Sequence, residues 1–224
     1  MSKVEKFINI FVSPTSVFKS LKEKEDWLFP IIILLVVAVI VTLIQTPINI
    51  EKQIEYYTNN PDISVEQKNT MIEQTKGIFP YIGGSITIII IVLFSLTFMA
   101  GVFYGIRFLF GGEKVGFKHL FSAVCYTGLI NVLAYIFALI VIFTSDKTQG
   151  LTLSAFLPNI KGFLQYLFGS ISLFGIWQTV LYGLILNVFY KYNKSKSFTI
   201  SFSVFLILSL LKAGYAYLAA GMVG

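Results

Sequence analysis

Apolar residues dominate five stretches of the chain, 28–50, 77–106, 120–145, 162–190 and 197–224, which hold one charged residue between them, Lys212. A bilayer core about 30 Å thick is crossed by roughly 20 residues of a helix that rises about 1.5 Å per residue, so each stretch is long enough to span. The pattern predicts an all-α polytopic membrane protein with five transmembrane helices, over about 28–48, 78–106, 120–143, 163–190 and 198–220. Residues 1–26 read as a separate amphipathic interfacial segment, and 27–224 as one five-helix domain.

Within the first segment, Val4, Phe7, Ile8 and Phe11 recur at helical spacing, while Lys3, Glu5, Lys6 and Asn9 fall elsewhere on the turn. Ser13-Pro14 then supplies an N-cap and a first-turn proline for a second short helix with apolar positions Val17, Phe18 and Leu21. Trp27 and Pro30 mark the entry to the first span as interfacial anchors, since Trp favours the headgroup zone and Pro is tolerated in a first helical turn. The connector 51–76 is broken by Asn60-Pro61, and Ser64 with Gln67 three residues on is a capping-box pattern. A short helical hairpin is expected there.

The second and fourth spans, some 29 residues each, exceed the bilayer thickness and must tilt, kink or project from it. In the second, Gly101 and Gly105 form a GxxxG spacing that permits close helix approach, either to a neighbour in the chain or to a partner. The fourth carries Ser172, Gly175, Gln178, Thr179, Tyr182, Leu186 and Tyr190 along one face, with Gly183 and Asn187 beside it. A stripe of small and polar residues should face protein. Lys212 is the one intramembrane charge; with the fifth span taken as Phe198 to Leu218 it lies about 9 Å from the outer boundary, within reach of the interface by snorkelling, the alternatives being contact with Asn131 or backbone carbonyls and a transport role.

Loop charge sets a direction. Lys3, Lys6, Lys19, Lys22, Lys24, Arg107, Lys114, Lys118, Lys191, Lys194 and Lys196 fall on one side of the five spans, against Lys52, Lys68, Lys76, Lys147 and Lys161 on the other. The side richer in Lys and Arg is expected in the cytoplasm, placing the N-terminus inside and the C-terminus outside. The net charge of +6 then serves attraction to anionic lipid and implies no nucleic-acid partner.

Candidate chemistry is sparse. The spans contain no Asp, Glu or His, so they lack the relay expected of ion-coupled carriers. The sole histidine, His119, cannot build a two-histidine metal motif, and the sole cysteine, Cys125, permits no intrachain disulfide. Gly111-Gly112 with Glu113-Lys114 lacks the spacing of a phosphate-binding loop. The reading is of a protein that is not an enzyme, with no catalytic, cofactor or metal residues.

Several motifs occur in a telling order: Ser13-Pro14-Thr-Ser-Val-Phe18, Trp27-Leu-Phe-Pro30, the turn Phe110-Gly-Gly-Glu-Lys-Val-Gly-Phe-Lys-His119, then Ala123-Val-Cys-Tyr126 and Leu173-Phe-Gly-Ile-Trp-Gln-Thr-Val-Leu-Tyr-Gly183. Together they resemble the prokaryotic branch of the YIP family, five-span proteins named for members that interact with Ypt/Rab GTPases. The resemblance implies a cytoplasmic N-terminus, five helices and a non-catalytic role in membrane organisation or in assembly of partner membrane proteins. The eukaryotic members' Asp-Leu-Tyr-Gly-Pro stretch has no counterpart, so Rab binding does not follow. The expected function is a YIP-type scaffold or adaptor in a bacterial plasma membrane, in contact with the bilayer and with partner membrane proteins or a second copy. The alternative is an accessory or permease subunit of an ABC-type exporter, with the ATPase as its partner.

Overall fold

The five apolar stretches become helices whose packing is set by which faces they bury. A computed structural model describes residues 1–144, 151–157 and 159–221. Lys147 of the charge count, and the ends of the third and fifth stretches, lie outside the described residues. The elements are α1 (Lys3–Val12), α2 (Pro14–Glu23), α3 (Leu28–Asn59), α4 (Val65–Gln74), α5 (Phe79–Phe110), α6 (Phe117–Gly128), α7 (Ile130–Thr144), a 3₁₀ turn (Leu153–Phe156), α8 (Phe163–Ser170), α9 (Leu173–Tyr190) and α10 (Lys194–Gly221). Among the described residues, five helical segments are long and apolar enough to cross a membrane: α3, α5, α6 with α7 (Phe117–Phe143), α9 and α10.

α3 runs past the expected span to Asn59, so the first part of the 51–76 connector continues the helix. The hairpin turns at Asn60-Pro61, Ser64 and Gln67 cap α4 reciprocally, and Lys68 Nζ ties α4 back to the Thr58 carbonyl at 2.8 Å. The fourth span departs from expectation. Residues 163–190 do not form one long helix: α8 stops at Ser170, and α9 alone, 18 residues, has the length to cross. Ser172 accounts for the break. Its hydroxyl accepts the Gly175 N–H at 3.0 Å as an N-cap, and its backbone bridges to Thr152, so extended residues pair where a continuous helix would have used those groups. The third span is interrupted more gently at Leu129, between α6 and α7.

The N-terminal helices dock on the bundle. Val17, Phe18 and Leu21 of α2 and Ile10 of α1 are fully buried, with α2 lying against α6 and α9. Each such side chain contributes about 1.5–3 kcal/mol when removed from water. α1 is started by an unanticipated capping box between Ser2 and Glu5, a Ser-x-x-Glu signature legible in the sequence. Its outer edge, Val4, Ile8 and Val12, stays exposed.

Candidate functional site

The face that carries the N-terminus is held by three polar linkages. Lys6 Nζ donates to Asp26 Oδ2 at 2.9 Å, and the Tyr126 hydroxyl donates to the same oxygen at 2.8 Å. The Asp26 N–H donates to Ser122 Oγ, whose proton goes to the Lys118 carbonyl. α1, the start of the first span and α6 thus converge on one carboxylate, with Tyr126 fully buried beneath it.

The second linkage centres on Glu113 in the turn after α5. Its carboxylate accepts from Lys22 of α2 and from Lys191 at the end of α9, and those two lysines hold it below the usual carboxylate range, Lys191 most strongly. Two glycines let the turn reach that position. Gly111 has φ +72° and ψ −158°, a region essentially closed to other residues, and its carbonyl accepts the Tyr192 hydroxyl. Gly112 has φ +113°, and a Cβ there would lie 2.9 Å from the Tyr192 ring and 3.2 Å from the Tyr190 carbonyl. His119 against Glu25, at 3.3 Å, is the third linkage.

Inside the bundle the polar stripe of α9 divides by depth. Gly175, Gln178, Thr179 and Tyr182 line a cavity of about 220 Å³ together with residues of α5, α10 and the α6–α7 break. Gly183 belongs instead to the α9–α10 contact, since a Cβ there would stand 2.5 Å from the Phe198 ring. Asn187 secures the end of α9, donating to the Tyr192 carbonyl at 2.6 Å.

The remaining expected positions lie elsewhere. Among the described residues nothing stands within 4 Å of a Cβ added at Gly101 or Gly105, so the GxxxG pair makes no close helix contact there. Lys212 is exposed on α10. Trp27 sits immediately before α3 with its ring 6.2 Å from that of Phe121, and Pro30 is buried in the first turn. The sequence reading missed Lys6, Asp26 and Tyr126, because a lysine and an aspartate before a span register only as loop charge. Asn131, named from the sequence only as a possible contact of Lys212, instead joins the cavity from α7, and Ser201, which the sequence reading missed, joins it from α10.

The architecture is that of a multi-pass, all-helical membrane protein whose N-terminal helices close one face. The chain belongs to the Yip1 domain family: the family's model matches residues 8–214, from α1 into α10. Comparisons with curated proteins and with solved structures give no match.

Proposed function

We propose that the protein is a non-catalytic integral membrane scaffold or adaptor of the prokaryotic YIP type. It sits in a bacterial plasma membrane with its N-terminal face in the cytoplasm and holds partner membrane proteins against its spans. The orientation rests on loop charge. The observation that carries the scaffold reading is the outer face of α5, where Phe94, Phe98 and Phe108 are exposed in line with the open notch at Gly101 and Gly105. Small residues let helix backbones approach closely in lipid, and flanking aromatic rings add packing surface. The non-catalytic reading is supported by how the polar groups are used: Lys6, Lys22, Asp26 and Glu113 are engaged in linkages that join helices.

The test is affinity capture in mild detergent with mass spectrometry, comparing the wild type with Gly101→Leu/Gly105→Leu. Specific membrane proteins should be recovered with the wild type and depleted with the variant, while thermal stability is unchanged. Equal recovery with both would remove α5 as the partner face, and recovery of an ATPase subunit as the dominant partner would favour the exporter assignment.

A further inference from the structure

The cavity beside α9 is partly open and is lined by α5 on one side and α10 on the other. α5 packs on α3 and α6, and α10 packs on α8 and α9, so the gap between α5 and α10 is floored by α9 and the α6–α7 break. On α10 its lining runs from Ser201 to Leu208, roughly 10–21 Å along the helix from its first residue, which places it in the hydrocarbon region. Most of the wall is apolar, with Leu96, Met99 and Phe103 on one side and Val204, Phe205 and Leu208 on the other.

Against that wall stand Ser95, Asn131, Gln178 and Tyr182. No side-chain hydrogen bond is formed by any of these four among the described residues, whereas Thr179 and Ser201 satisfy themselves on the carbonyls of Gly175 and Phe198. Two carboxamides and a phenol unpaired in hydrocarbon are costly, and an occupant that supplies donors and acceptors removes that cost. No charged side chain lines the cavity, so a phosphate-bearing headgroup has no counter-ion in it. The volume equals roughly seven waters, too small for a partner helix but suited to a small polar head with the first carbons of its chain.

We propose that this groove is a binding site for an uncharged lipid bearing a free hydroxyl, of the diacylglycerol or long-chain alcohol class. The hydroxyl is held among Asn131, Gln178 and Tyr182, and the acyl chain leaves between α5 and α10. The amides serve the hydroxyl as both donors and acceptors, and the Phe103 ring, 4.7 Å from that of Tyr182, walls the inner side.

The test uses the full-length protein in lipid nanodiscs and a photoactivatable diacylglycerol with the reactive group near the head. Labelled peptides should map to α9 and α10. Unlabelled diacylglycerol should compete, while its O-acetylated analogue and phosphatidylglycerol should compete at least about tenfold less well. Gln178→Leu/Tyr182→Phe should cut labelling by about tenfold with no loss of thermal stability, because it removes unpaired polar groups at nearly constant volume. Labelling elsewhere, equal competition by the acetylated lipid or by phosphatidylglycerol, or unchanged labelling of a stable variant would each overturn the proposal. The competition series on wild-type protein decides the matter even where the variant is unstable.

Discussion

Lys6 and Asp26, twenty residues apart, meet as an ion pair of 2.9 Å with side chains only 7% and 12% exposed. Removing one member of a buried pair leaves the other uncompensated, which commonly costs about 3–5 kcal/mol. Lys6→Met should therefore destabilise the protein by about 3 kcal/mol in thermal or denaturant unfolding and expose the α1–α2 junction to protease. Lys6→Met/Asp26→Leu should lose less than the two single variants added together, since neither charge is then stranded. An additive double variant would show that the pair is not coupled.

The lowered pKa of Glu113 gives stability a pH dependence. A carboxyl whose folded pKa lies below its unfolded value contributes fully above the unfolded value, about 4.3 for Glu, and loses that contribution as pH falls through the folded value. The difference in melting temperature between wild type and Glu113→Gln should be constant from pH 7 to about 5 and shrink in more acidic buffer. A difference that grows on acidification would contradict the two-lysine clamp.

Gly111 and Gly112 should respond unequally to alanine. Both have backbone angles that cost other residues about 1–3 kcal/mol, but only at Gly112 does the added Cβ also meet Tyr190 and Tyr192. Gly112→Ala is expected to lower the melting temperature more than Gly111→Ala, and circular dichroism melts of the two proteins provide the comparison.

Gly183 and Gly101 provide a matched pair within the spans. Gly183→Ala should cost about 1–3 kcal/mol by forcing the Phe198 ring off α9, and Phe198→Leu in the same chain should recover part of the loss. Gly101→Ala meets open space and should change unfolding by no more than about 0.5 kcal/mol.

The legible part of this fold was what hydropathy and caps encode. Charge-free length located five spans, and Ser64 with Gln67 located α4, because both signals are local. The break before α9 was missed although Gly169-Ser170-Ile171-Ser172 signals it: an apolar average runs smoothly over three small residues and an isoleucine, while the backbone responds to the single N-cap at Ser172. The polar stripe of α9 was legible as a pattern of small and polar residues, and in the structure its members line a cavity or meet α10. Its division between a cavity at Gln178 and Tyr182 and a tight contact at Gly183 depends on Phe198 and Phe205 of another helix, which spacing along α9 does not encode. The convergence on Asp26 was illegible for the same reason, since Tyr126 lies a hundred residues further on.

The burial of α2 against α9 carries a consequence for biosynthesis. The segment α2 leaves the ribosome well before residues 173–190 exist, so its α9 neighbours are missing for most of translation, while α1 and later α6 are already made. In that interval the nascent chain has the bilayer surface as the apolar refuge for Val17, Phe18 and Leu21. Their amphipathic spacing thus describes a waiting position as well as a destination. The carboxylate of Glu113 gains its second lysine only when Lys191 emerges, which makes closure of the N-terminal face one of the last events in assembling the molecule.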